Sequence, residues 1–158
     1  MTEQKETFEI FPIGRVRRAE GRTYLEISKP YIPALKELEK SSHVQVFWWF
    51  SQFDDSMYRQ TTQSDHAPYE APTMGVFACR SPVRPNPIAL TTAQVLNVDH
   101  QKGQVEIVNI DAFDDTPLID LKPYIPVCDR VEKVGVPPWS ADWPQWLPKE
   151  GMGLEEGE

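Results

Sequence analysis

Fifteen prolines, spread from residue 12 to residue 148, constrain this chain more than any other feature. Proline lacks the N–H that helices and central strands need, and its ring clashes with the preceding helical turn. A bundle of long helices is therefore excluded. The segments between the prolines read as short strands. Residues 8–16 run in near alternation, and residues 23–27 alternate cleanly after Glu20-Gly21, a turn signal that predicts a hairpin. Ile32, Leu35 and Leu38 recur at three-residue spacing, which predicts a short amphipathic helix from about residue 33 to residue 40. Residues 44–50 are apolar on both faces and predict a strand buried on both sides.

Residues 51–73 are polar and read as a long exposed loop containing His66. Strands are predicted over 74–79, 88–98 and 104–110, a turn over 111–117, and a short extended piece over 118–121. The sum is a mainly-β domain, a small barrel or strongly curled sheet with one or two short helices. It is expected over residues 1–135. Residues 136–158 form a Trp/Pro-rich arm and acidic tail, its tryptophans stapling it to the barrel or to a neighbouring subunit.

The formal charge of -8 is uneven, because residues 101–158 carry 12 acidic and 5 basic side chains while the first hundred residues are nearly neutral. General attraction of the whole chain to nucleic acid is thereby disfavoured. A local RNA-facing patch of Arg15, Arg17, Arg18, Arg22, Arg80 and Arg84 remains allowed. No apolar run reaches the roughly 18 residues of a membrane span, and the polar start is unlike a secretory signal. Cys79 and Cys128 are too few for a disulfide framework or a metal knuckle and read as small buried hydrophobes in a reducing cytoplasm. Phosphate-loop, dinucleotide-fold, nucleophile-elbow and His-pair metal signatures are all missing. The scattered His43, His66 and His100 read as structural or solvated.

Two segments carry chemistry. In residues 75–90, Arg80 and Arg84 sit in a loop stiffened by Pro82, Pro85 and Pro87, so their guanidinium groups are placed with little entropy left to lose. Arginine suits bidentate recognition of carboxylate or phosphate. The competing reading pairs both arginines with structural acids such as Asp111 or Asp114. In residues 111–126, Asp111, Asp114, Asp115 and Asp120 fall within ten positions at the end of a strand. Such a cluster is costly unless solvated, paired or used.

Together these segments closely resemble the TsaA/TrmO family, whose pattern runs G-x-F-x-T-R-S-P-x-R-P-N-P-I-G-L and then D-G-T-P-x-x-D-I-K-P-Y-x-P. Ile13-Gly14 and Ser42-His43 match as well. The resemblance implies a small β-barrel that binds S-adenosylmethionine, as a homodimer with the cofactor near the subunit interface; no metal is expected, since the Cys and His spacings offer no ligand set. It further implies methylation of N6 in the threonylcarbamoyladenosine beside the tRNA anticodon. By the same resemblance Arg80, Leu90, Asp114, Asp115, Thr116 and Pro117 surround the cofactor, and Arg84 and Asn86 shape their loop. Asp120, Lys122 and Tyr124 face the cofactor or the dimer seam, and Asp111, Asp114 and Tyr124 are candidates for the base that takes the acceptor's proton. Asp115 and Ala89 stand where the family pattern has Gly, and Ser51 where His is common. Residues 17–21 turn straight into the next strand where the family inserts a cofactor loop. Two alternatives stay open on the sequence: methyl transfer to a small molecule, and a non-catalytic module that binds cofactor or a partner.

Overall fold

The computed structural model describes residues 5–65 and 69–150. Among these described residues eight strands form: β1 (Gly14–Ala19), β2 (Arg22–Ile27), β3 (His43–Trp49), β4 (Gln63–Ser64), β5 (Met74–Gly75), β6 (Ile88–Asp99), β7 (Gln104–Ile107) and β8 (Pro117–Pro123). A four-residue helix, α1 (Pro126–Asp129), follows β8. Six strands close into an antiparallel barrel in the order β1-β2-β7-β6-β3-β8, while β4 and β5 pair with each other. This is the small, mainly-β barrel that the proline pattern predicts. Among the described residues, no helix is long and apolar enough to cross a membrane.

Alternation builds the core. Val16 of β1, Leu25 and Ile27 of β2, Val44, Val46 and Trp48 of β3 and Val105 and Ile107 of β7 all point inward and are buried. Small residues face large ones across the β3–β6 ladder, Trp48 opposite Ala89 and Val44 opposite Ala93, as a narrow interior requires. The need for a small residue opposite Trp48 accounts for Ala89 at a position where the family pattern has Gly. The β1–β2 hairpin turns on Glu20 and Gly21 with φ of 54° and 73°. Positive φ at both central residues is the twist-matched hairpin turn.

Several sequence expectations need correction. The amphipathic helix is instead two 3-10 segments, Lys29–Leu35 and Leu38–Lys40. Pro30 and Pro33 withhold N–H donors, and Glu37 at φ 74° breaks the run. The first strand starts at Gly14 rather than residue 8, leaving Phe8 and Phe11 exposed. On β3 the inner face is buried, but Phe47 and Trp49 on the outer face are only half-buried. The strand expected over 74–79 shrinks to Met74–Gly75 and gives way to the 3-10 turn Val76–Ala78. Residues 51–73 contain two 3-10 turns, Ser51–Phe53 and Tyr58–Gln60, as well as β4. The short extended piece at 118–121 is the seven-residue β8. Cys128 is exposed and Cys79 half-buried, so neither is a fully buried hydrophobe.

β8 closes the barrel by lying between β1 and β3. Gly14 pairs with Ile27 of β2 on one side and Leu118 of β8 on the other. A Cβ at residue 14 would overlap the carbonyl oxygen of Glu26, so the seam admits only glycine. We therefore predict that Gly14→Ala lowers stability by about 1–3 kcal/mol, since backbone must move to admit the methyl. Urea denaturation checks this; an unchanged midpoint would contradict it.

Candidate active site

Where β3 ends and β6 and β8 begin, a cleft of about 1370 Å³ opens at one end of the barrel. Its lining brings together Arg80, Arg84, Asn86, Leu90, Asp111, Asp114, Asp115, Thr116 and Pro117, which come from two segments far apart in sequence. Asp120, Lys122 and Tyr124 are not among the lining residues. β8 carries Asp120 and Lys122 away from the cleft, where they pair with each other at 3.5 Å. The backbone N–H of Tyr124 donates to the carbonyl of His43. His43 Nδ1 bonds Ser42 Oγ, and His100 pairs with Glu39. His66 lies outside the described residues.

The carboxylate-rich turn is pinned by β1. Arg17 Nη1 donates to Asp115 Oδ1 at 2.7 Å, and Arg15 Nη1 to the carbonyl of Asp115 at 3.2 Å. The backbone N–H of Arg18 donates to Asp114 Oδ1 at 2.9 Å, while its guanidinium donates to the carbonyls of Ala112 and Ile110. Partial burial works against the charge of Arg17. Glu26 and Asp115 outweigh that and hold its pKa above the usual range. Asp115 has φ 67°, a left-handed conformation that Gly adopts freely and that Asp tolerates better than most residues. The Arg17 contact offsets the added charge. Arg15, Arg17 and Arg18 are thus engaged within the fold, and Arg22 pairs with Glu106 at 3.0 Å. These contacts within the fold are ones that the sequence alone does not show, because the acids and carbonyls opposite the four arginines come from distant segments.

The proline-locked loop is held from both sides. Within it, Arg84 Nη1 donates to the carbonyls of Cys79 and Ser81, each at 3.1 Å. From outside, Arg59 Nε donates to the carbonyl of Pro85 at 2.8 Å and Nη2 to Asn86 Oδ1 at 3.1 Å. Asp54 orients Arg59 by a 3.1 Å ion pair and also accepts from Trp49 Nε1. The sequence reading missed Arg59, which sat in an apparently featureless polar loop. Neither Arg80 nor Arg84 pairs with Asp111 or Asp114. Arg80 is exposed in the cleft wall and makes no hydrogen bond or ion pair among the described residues.

A short relay reaches the cleft. Trp48 Nε1 donates to Thr91 Oγ1 at 3.0 Å, and Thr91 Oγ1 donates to Asp111 Oδ1 at 3.0 Å. Asp111 is half-buried, and its Oδ2 has no hydrogen-bond partner among the described residues. The site therefore presents a free guanidinium, a positioned carboxylate oxygen and apolar wall from Pro82, Ala89 and Leu90. No group of three metal-ligating side chains occurs among the described residues. The arm also reaches the site, with Trp139, Ser140, Trp143 and Leu147 in the lining, a placement that composition alone could not indicate.

The domain family described as the tRNA-methyltransferase O N-terminal domain matches residues 2–130. This chain belongs to that family. It is 35% identical over 112 residues to a probable S-adenosyl-L-methionine-binding protein of Methanocaldococcus jannaschii, covering 70% of this chain and 87% of the relative. It is 32% identical over 143 residues to the tRNA (adenine(37)-N6)-methyltransferase of Escherichia coli, covering 89% of this chain but 58% of that enzyme. The crystal structure of TrmO from Pseudomonas aeruginosa superposes with a TM-score of 0.65 at 27% identity, over 84% of this chain and 62% of that one. The chain thus spans somewhat under two thirds of these two longer relatives. The matched domain ends before the tryptophan arm begins.

The pinned turn makes a testable point. Arg18→Ala removes the donors to two carbonyls of buried residues, and we predict a loss of about 1–3 kcal/mol. Chemical denaturation measures it; a change within error would show the turn holds without Arg18.

Proposed function

We propose that this chain is an S-adenosylmethionine-dependent methyltransferase acting on N6 of the threonylcarbamoyladenosine beside the tRNA anticodon. The observation that carries this reading is the convergence of both motif loops on one cleft, where the Arg80 guanidinium has no partner among the described residues. The residues fit the cofactor. Arg80 suits its carboxylate, the open carboxylate edge of Asp114 its ammonium group, and the apolar wall at Leu90 its adenine. Membership in the tRNA-methyltransferase O family and the names of the archaeal and bacterial relatives support the same reading.

The cofactor, when bound, supplies an electrophilic methyl group on sulfur. The chain's own residues orient, position and deprotonate. Arg59 and Arg84 hold the loop that carries Arg80, and Arg17 and Arg18 hold the turn that carries Asp114 and Thr116. Methyl transfer to the acceptor nitrogen would require that nitrogen to give up its proton to a group of the chain. Asp111 is the acceptor of that proton in this reading, because the relay from Trp48 and Thr91 fixes one carboxylate oxygen and leaves the other open. Asp114 is assigned to the cofactor's ammonium group in this reading, and Tyr124 is not among the lining residues of the cleft.

The dimer belongs to this proposal. Phe77 is 85% exposed beside the loop, and Phe113 and Ile88 are exposed at the cleft, an apolar surface that a second copy would cover. The unpaired cysteines favour a cytoplasmic setting.

Arg80→Ala should weaken S-adenosylmethionine binding at least about tenfold, the usual scale for a charged hydrogen bond, with melting temperature unchanged. Isothermal titration measures this, and equal affinity would remove Arg80 from the site. Asp111→Asn should lower kcat with cofactor affinity retained, read by mass spectrometry of methylated nucleoside. Unchanged kcat would exclude Asp111 as the base.

A further inference from the structure

The cleft is larger than one small molecule needs. Ligand pockets commonly enclose about 300–1,000 Å³, and this one encloses about 1370 Å³. The motif residues account for one part of its wall. Another part is aromatic: Tyr69, Trp139 and Trp143 line the cleft and also border a second, shallower hollow of about 670 Å³ that no motif residue touches. The rings of Tyr69 and Trp143 lie 5.0 Å apart and tilted at 47°. Tyr69 and Trp139 remain 39% and 41% exposed, so these rings stand at the mouth rather than in a sealed core. Glu70 and Asp142 flank them in the outer hollow.

We infer that Tyr69, Trp139 and Trp143 form a stacking subsite for a planar nucleobase, the one bearing the methyl acceptor. Two indole rings and a phenol ring present wide, rigid, apolar surface at low entropic cost, and every nucleobase has a π-face to match. The flanking carboxylates repel phosphate, so base enters while the nucleic-acid backbone stays outside. An acceptor base lifted out of its stack needs such a surface to replace the lost stacking. Tyr69 lies within the matched domain, which ends at residue 130, while Trp139 and Trp143 lie beyond it, so the arm completes a surface that the domain begins. The inference rests on the methyltransferase reading for the identity of the base, and on the ring cluster alone for the stacking.

The test uses the full chain and an anticodon stem-loop RNA containing threonylcarbamoyladenosine, with affinity read by fluorescence anisotropy. Trp139→Ala, Trp143→Ala and Tyr69→Ala should each raise the Kd for RNA about tenfold, the scale of one lost stacking contact. Trp143→Phe should recover most of the loss. Trp146→Ala is the control, since Trp146 lies in the same arm, is 81% exposed and does not line the cleft; it should leave the Kd unchanged. Affinity for S-adenosylhomocysteine, read by titration, should be the same in every variant. The inference is overturned if the three alanine variants bind RNA like the wild type, if Trp146→Ala costs as much as they do, if they lose S-adenosylhomocysteine affinity in parallel, or if wild type does not bind the RNA. Ring-dependent RNA binding by a wild type with no affinity for S-adenosylhomocysteine would uphold the stacking subsite and remove the methyltransferase reading.

Discussion

Closure of the barrel by β8 is the constraint on which the site depends. β8 must pair with β1 on one edge and β3 on the other, and its first residues are also the end of the carboxylate turn. The backbone bonds of Ile13 to Leu118, Val16 to Thr116 and Asp115 to Val16 carry the ladder past the last paired residue and into the turn. Arg15, Arg17 and Arg18 then hold the turn's carbonyls and carboxylates. A turn that would be mobile on the surface is thus fixed by contacts about a hundred residues distant in sequence. These contacts form only once the barrel has closed, so an intact site reports a closed barrel.

The second loop is fixed by different means to the same end. Three prolines remove backbone freedom in the unfolded chain, which lowers the entropy lost on ordering. Arg84 donates to the loop carbonyls of Cys79 and Ser81, and Arg59 to the carbonyl of Pro85 and the side chain of Asn86. The loop's own polar groups are thereby engaged by the protein. Arg80 and one carboxylate oxygen each of Asp111 and Asp114 keep hydrogen-bonding capacity for a ligand. A preorganised site differs in this way from a merely polar hollow.

Strand periodicity and proline placement were sufficient to read the barrel, since inward alternation on β2, β3 and β7 is a local pattern. The two motif segments were legible because their residues are contiguous. What stayed hidden was long-range. Nothing local distinguishes Arg17 paired with Asp115 from an arginine facing RNA, and Arg59 acquires its role only when residues 51–73 fold back onto Pro85 and Asn86. The three-residue spacing of Ile32, Leu35 and Leu38 fits a 3-10 helix as well as an α-helix, and the missing proline donors decided between them. The seven-residue length of β8 was masked by Pro117 and Pro123 at its ends, both of which a strand terminus accepts.

The central claim is that both motif loops, and no other part of the barrel, receive the cofactor. Hydrogen–deuterium exchange of the full chain, with and without S-adenosylhomocysteine, tests it most directly. Protection confined to peptides spanning residues 79–91 and 109–118 is the expected result. Protection centred on another face of the barrel, or none at saturating ligand, would contradict the account.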